Sequence, residues 1–179
     1  PAPWWRIFKG LQVAVGFRTT MYINDDISDN FGYDLARRLG HQVTATVPAL
    51  VPLVLNSRMF HPSLSGLSQE VEITTAVNRK TVDTRTGSLL WTHFGISGPV
   101  VMDASRFWTL SQQRGDEASV YANFLPGLAQ EHVRAWLAHE ASGHPRRSVA
   151  KTLALRIPAR FAEALCRHVA CDPQQAAAQ

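Results

Sequence analysis

The sequence is poor in cysteine and has no apolar run long enough to cross a membrane. Two cysteines, Cys166 and Cys171, are present among 179 residues, too few for a disulfide framework. We therefore expect free thiols and a reducing, cytoplasmic setting. Because a membrane-spanning helix needs about 18 or more consecutive apolar residues, none is expected, and the N-terminal residues lack the layout of a signal peptide.

The glycines and the charges exclude or disfavour two ligand classes. None of the eleven glycines forms a Gly-x-Gly pair, so the Rossmann phosphate loop for dinucleotides is absent. The net charge is +4, from 18 Lys and Arg against 14 Asp and Glu, with no dense basic run. Nucleic-acid binding is therefore permitted but not indicated.

The candidate metal ligands have the wrong spacing for a metal site. His139 and His144 lie five residues apart with Gly143 between them, whereas a zinc-protease helix needs two histidines four residues apart. No second ligand pair accompanies Cys166 and Cys171. The sequence therefore predicts no metal site.

The middle of the chain is rich in strand patterns. Val71, Ile73, Thr75 and Val77 alternate with Glu72, Thr74 and Ala76, which is typical of a half-buried strand. Further strands are predicted at 11–17, 81–85, 88–93 and 119–125, with Thr86 and Gly87 forming a turn between the second and third of these. The prolines in segment 47–55 exclude a central helix and favour an extended or edge strand, and loops are expected at 23–30 and 62–68.

Helical patterns flank this region. Helices are predicted at 33–39, from Pro99 onward, at 133–141, at 149–153 and from Pro158 to Val169. The fold class is therefore α+β, a small β-barrel followed by a helical bundle. The expected divisions are an N-terminal segment (1–42), the barrel (43–125) and the helical part (126–179).

The stretch from Leu89 to Met102 is the strongest candidate for a site, because it reads as strand, glycine turn and helix start. Gly95 and Gly98 permit backbone angles or close approaches that a Cβ would prevent. Pro99 suits the first helical turn, and Ser97 is a candidate cap. Helix starts bind anions, but a tight connection without a ligand explains the same residues. His93 could face a ligand or brace the turn.

These residues also resemble a known family, the BaiN-like flavoproteins, also described as aminoacetone-oxidase-like FAD-binding proteins. The resemblance covers roughly residues 32–168. It rests on five blocks in one order: Gly32 to His41, Val47 to Leu53, Leu64 to Leu67, Thr86 to Pro99, and Val149 to Phe161.

The resemblance implies that the barrel and helices form an insert domain. In the family this insert interrupts a two-part FAD-binding domain, covers the flavin and shapes the pocket for a small-molecule substrate, and some members are presumed to use NAD(P)H. It implies cofactor-side positions at Thr92, His93, Gly95, Ser97 and Gly98, and a short remnant of the FAD-binding domain at the N-terminus. No catalytic residue follows from it.

The chain departs from the family before Gly32. Ser28-Asp-Asn-Phe-Gly-Tyr33 replaces the expected Gly-Asp-Gly-Tyr, and the glycine-rich nucleotide loop is missing. We therefore expect a fragment of an FAD-dependent oxidoreductase that is inactive alone. The alternatives are a stand-alone barrel module for RNA or a protein partner, and a hydrolase using His93 and Ser97 without an identifiable third group.

Overall fold

A computed structural model describes residues 12–15 and 31–177 of the chain. The described strands are β1 (Gln12–Val15), β2 (Leu53–Val54), β3 (Ser68–Val77), β4 (Lys80–Trp91), β5 (Gly95–Ser97) and β6 (Ala118–Asn123). The described helices are α1 (Phe31–Arg38), α2 (Pro99–Arg114), α3 (Gln130–Gly143), α4 (Val149–Leu153) and α5 (Ala159–His168), with a 3₁₀ helix at His61–Leu64. The predicted loop at 23–30 lies outside the described residues.

The described strands form one antiparallel sheet in the order β1-β6-β3-β4-β5-β2. The sheet curls into a half-barrel and is followed by helices, which confirms the predicted α+β class with a barrel domain. Within the predicted strand at 11–17, Gln12–Val15 pairs with β6. The segment predicted as edge or extended contains β2, which lies at the end of the sheet.

The long hairpin of β3 and β4 corrects the predicted turn at Thr86 and Gly87. The strands predicted at 81–85 and 88–93 are one strand, β4, and the hairpin turns at Asn78 and Arg79, both with positive φ. Gly87 instead pairs with Val71 in mid-strand, where an added Cβ would lie 3.2 Å from the Cβ of Val100. The glycine therefore lets helix α2 approach the sheet.

The predicted alternation in β3 is confirmed from Val71 to Thr75, but it is wrong at the end of the strand, where Ala76 is buried and Val77 is only half-buried. Val71, Ile73 and Thr75 are at most 1% exposed. A register irregularity between Thr75 and Ala76 brings Ala76 into the core as well. The buried face of the sheet packs against α2, whose Val101 and Ala104 are fully buried.

Two hydroxyl groups on α2 hold the extended proline segment in place. Ser105 Oγ accepts a hydrogen bond from the Val51 N–H at 3.0 Å, and Thr109 Oγ1 donates to the Pro48 carbonyl at 2.7 Å. These bonds satisfy backbone groups that the prolines leave without a regular strand partner. They place β2 beside β5, next to the glycine turn.

An aromatic cluster joins the sheet to the helices. Phe161 of α5 lies 4.5 Å from Phe124 and 5.6 Å from Trp91, measured between ring centroids. Phe60 lies 5.6 Å from the Trp91 ring. The helices therefore share one hydrophobic core with the sheet.

The remaining helix predictions are confirmed, including the stripe on α5. Phe161, Ala162, Leu165 and Cys166 are all buried, and α5 starts after Pro158 as expected. By contrast, none of the eight residues of α1 is buried, and Phe31 and Leu39 are 66% and 69% exposed. Gly40, at φ +87°, ends this helix as predicted.

Across the described ranges, no helix has the length and apolarity to cross a membrane. The division into 1–42, 43–125 and 126–179 stays a prediction.

Candidate functional site

The glycine turn connects β4 to α2 and carries the short strand β5 at its centre. Ile96 pairs with Trp91 on one side and with Leu53 on the other. The turn between β4 and β5 is closed by two hydrogen bonds: the Thr92 N–H donates to the Gly95 carbonyl at 2.8 Å, and the Gly95 N–H donates to Thr92 Oγ1 at 3.0 Å. The Thr92 hydroxyl therefore acts as an acceptor inside the turn and keeps its proton to donate.

Both glycines of the turn are required by the protein's own backbone. A Cβ on Gly95 would overlap the carbonyl oxygen of Leu53. Gly98 has φ +95°, and a Cβ there would lie 2.7 Å from the Ser88 carbonyl oxygen and 2.8 Å from the Leu90 nitrogen. Close packing of three chain segments thus accounts for both glycines without a ligand.

The start of helix α2 corrects the predicted cap. Gly98, not Ser97, is the N-cap residue, and no side chain caps the helix. Ser97 lies in β5, opposite Leu90, so strand pairing fixes its backbone before the helix begins. Pro99 occupies the first helical turn as predicted.

His93 is the exposed side chain of the turn. Its ring meets Phe94 edge-on, with centroids 5.0 Å apart. No hydrogen bond joins His93 to Ser97 within the described ranges. The geometry therefore lacks the nucleophile–base contact that a hydrolase would need.

A second histidine, His61, lies buried behind the turn. Burial has the largest effect on the pKa of His61 and lowers it. A hydrogen bond to the His93 backbone has a smaller effect and raises the pKa, and the charge of His93 has the smallest effect and lowers it. His61 is 2% exposed, and this burial favours its neutral imidazole form. Its Nδ1 has no hydrogen-bond partner in the described structure. His61 was not predicted as a site residue, because nothing in the local sequence pattern distinguishes it from a loop histidine.

The turn could contact one edge of a flavin, but it has no room to surround a nucleotide. Thr92 and His93 offer donors, which suit the carbonyl or phosphate oxygens of such a cofactor. The glycines, however, leave no space beside them, because backbone atoms of neighbouring strands occupy it. A flavin here would have to be held mainly by other residues, and the turn would meet one side of it.

Among the other candidate groups of the sequence, His139 is exposed on α3, His144 lies beside a carboxylate, and the two cysteines lie in the core. Glu140 pairs with Arg147 at 2.6 Å and with His144 at 3.4 Å, so a salt bridge occupies the end of α3. Cys166 and Cys171 are buried free thiols, as expected. No group of three or more metal-binding side chains occurs within the described ranges.

Comparison with known proteins gives the family. A family model described as the HI0933-like protein barrel and H2TH domain matches residues 47–179. The chain is 34% identical over 107 residues to the 3-dehydro-bile acid delta(4,6)-reductase of Clostridium scindens, covering 60% of this chain and 26% of that protein.

Two further relatives carry a different name. The chain is 32% identical over 141 residues to the ribosomal RNA dihydrouridine synthase of Escherichia coli, covering 75% of this chain and 31% of that protein. It is 28% identical over 134 residues to the protein of the same name from Haemophilus influenzae, covering 74% and 30%. The chain thus spans less than a third of the length of these relatives. It belongs to the HI0933-like, or BaiN-like, family of flavoprotein oxidoreductases and carries the barrel and H2TH domain of that family.

Proposed function

We propose that this chain is the insert domain of an FAD-dependent oxidoreductase and is inactive alone. In this role the barrel and helices cover the flavin and shape the substrate pocket, while flanking segments hold the nucleotide. The flavin supplies the hydride chemistry when bound. This chain's residues position one edge of the cofactor and exclude water from it.

The main support for the proposal is the exposed apolar face of helix α1. This face is formed by Phe31 and Leu35 and continued just past the helix by Leu39, and these three side chains are between 45% and 69% exposed. An apolar face of this kind is stable when another element covers it. The family resemblance assigns this helix to the FAD-binding part, so that part is the proposed cover.

The glycine turn is the proposed flavin-side edge. The close packing around Gly95 and Gly98 fixes its backbone, and the side chains of Thr92, His93 and Ser97 then project from a rigid frame. A fixed set of donors needs little reorganisation when it meets an acceptor. The relatives' names point to a bile acid derivative and to ribosomal RNA, so the proposal concerns the cofactor edge and leaves the substrate class open.

The first test is the absorption spectrum of the purified chain. We expect no flavin band near about 450 nm after incubation with FAD and gel filtration, because residues 1–179 contain no Gly-x-Gly pair for a dinucleotide phosphate loop. Stoichiometric FAD retained by residues 1–179 would contradict the proposal.

The second test places the domain in an intact enzyme. A chimera of the E. coli relative that carries residues 47–177 in place of the matching segment should bind FAD and oxidise NAD(P)H. His93→Ala in that chimera should change the flavin spectrum or the rate, whereas His139→Ala, on the exposed surface of α3, should change neither. If His93→Ala and His139→Ala had equal effects, His93 would not belong to the proposed flavin-side edge.

The alternative remains a stand-alone module that binds RNA or a protein partner. Its mild positive charge permits RNA binding. A salt-dependent gel shift with RNA would favour this alternative, and no shift at low salt would eliminate RNA as the partner.

A further inference from the structure

A groove lies between the start of β3 and the helices, and its lining includes none of the residues assigned to the flavin edge. Its volume is about 630 Å³, within the range of small-molecule sites, which is roughly 300–1,000 Å³. The apolar part of its lining includes Phe124, Leu125 and Ile157, and its polar part includes Gln69, Glu70 and Arg156.

Gln69 supplies the unusual feature of this groove. Both polar atoms of its side-chain amide are shielded from solvent, and neither has a hydrogen-bond partner in the described structure. Buried polar groups are almost always paired in folded proteins, so each exception needs an explanation. Because the amide makes no hydrogen bond, turning it toward the groove would break none.

The strand pairing explains why the groove opens beside Gln69. β4 pairs with β3 from Ser68 onward, but β6 pairs with β3 only from Glu72 onward. The chain that leaves β6 at Asn123 turns away through Phe124 and Leu125. The first four residues of β3 therefore have a strand neighbour on one side and the groove on the other.

Two charged side chains border the groove. Arg156 lies between α4 and α5, is exposed, and has its guanidinium carbon 4.9 Å from the centre of the Trp136 ring. Glu70 is exposed at the start of β3. The groove thus combines an apolar floor, a neutral donor–acceptor pair, one cation and one anion.

We propose that this groove binds a nucleotide unit, with the planar base against the apolar floor and its edge on Gln69. A carboxamide offers an N–H donor beside a C=O acceptor, which pairs with two adjacent polar atoms on a base. In this arrangement Arg156 binds the phosphate and Glu70 accepts a hydrogen bond from a ribose hydroxyl. Uracil, adenine and nicotinamide share the required edge, so the unit can come from RNA or from a free cofactor.

Binding to the purified chain tests this directly and needs no flavin. We would titrate it with uridine 5′-monophosphate, adenosine 5′-monophosphate, nicotinamide mononucleotide and ribose 5-phosphate, using calorimetry and ¹H–¹⁵N NMR. At least one nucleotide should bind about tenfold more tightly than ribose 5-phosphate and should shift the side-chain amide signals of Gln69. The preferred nucleotide identifies the source of the unit.

Two variants with matched controls test the named contacts. Gln69→Leu should weaken nucleotide binding about tenfold, whereas Gln112→Leu, on the exposed surface of α2, should not change it. Arg156→Gln should weaken binding of every phosphorylated probe, whereas Arg114→Gln, at the exposed end of α2, should not. Circular dichroism and the NMR spectrum confirm that each variant is folded.

Three results would overturn the proposal. The first is that no nucleotide binds at millimolar concentration, and the second is that ribose 5-phosphate binds as tightly as the nucleotides. The third is that a folded Gln69→Leu variant binds like the unaltered protein. Retention of FAD by the chain would contradict the insert-domain proposal but would leave these outcomes unaffected, so the two failures are distinguishable.

Discussion

Replacing Gly98 by alanine should destabilise the fold far more than replacing Gly115 or Gly143 by alanine. Gly98 has φ +95° and ψ 164°, a region that is accessible almost only to glycine. The new Cβ would also lie 2.7 Å from the Ser88 carbonyl oxygen and 2.8 Å from the Leu90 nitrogen, so backbone atoms of β4 would have to move.

The backbone conformation and the close contacts of the new Cβ together determine how far the free energy of unfolding falls. The backbone conformation costs on the order of 1–3 kcal/mol for a residue with a Cβ, and an extra methyl group in a tightly packed place costs about 1–3 kcal/mol more. The free energy of unfolding of Gly98→Ala should therefore fall by about 2–6 kcal/mol. At about 2–4 °C per kcal/mol for a chain of this size, Tm should fall by at least about 4 °C.

Alanine variants of two other glycines distinguish the cost of the backbone conformation from the cost of packing the added Cβ. Unfolding of each variant by heat and by urea is followed by circular dichroism. Gly115 has φ +73° but open space around it, so Gly115→Ala should show only the conformational cost of about 1–2 kcal/mol. Gly143 has neither constraint, and Gly143→Ala should leave stability unchanged or raise it by up to about 1 kcal/mol. If Gly98→Ala were no less stable than Gly115→Ala, backbone packing would not be what requires glycine at position 98.

Three further predictions concern buried polar and thiol groups. Because burial lowers the pKa of His61, the unfolded state binds the proton more readily than the folded state. The free energy of unfolding should therefore fall as the pH drops below about 6.5. Urea titrations should show that this pH dependence is weaker in His61→Asn and unchanged in the exposed control His139→Asn. Gln69→Leu should raise stability by about 1–3 kcal/mol, because it removes an unpaired buried amide, and a lowered Tm would show that the amide is satisfied in solution. Burial raises the pKa of Cys166 to about 12, so its reaction with a thiol reagent at pH 8 should be much slower in the folded than in the urea-unfolded protein, and equal rates would contradict the burial.

The fold could be predicted where the chain signals its own structure locally. The alternation from Val71 to Thr75 follows from the period of a strand with one buried face, and the starts of α2 and α5 follow from Pro99 and Pro158. Gly87 was misread because a glycine in a strand is ambiguous: it can form a turn or admit a neighbouring element. Only the position of Val100 in the folded chain decides between these possibilities.

The candidate site could be predicted in position but not in detail. Thr92, His93, Gly95, Ser97 and Gly98 do lie in one turn, because they are close in sequence. His61 and Gln69 were missed, because their roles depend on segments that are distant along the chain. Gln69 follows directly after the segment predicted as loop, whereas β3 begins at Ser68 and directs Gln69 to the same side as Val71.

The tight packing of the turn limits which substitutions can reveal its function. Gly95 and Gly98 are fixed by backbone contacts, so their variants lose stability whether or not the turn meets a cofactor. His93 is exposed, so truncating its side chain should leave stability nearly unchanged. A loss of flavin chemistry without a loss of stability in His93→Ala would therefore report a contact with the cofactor, whereas the same loss in a glycine variant would report only unfolding.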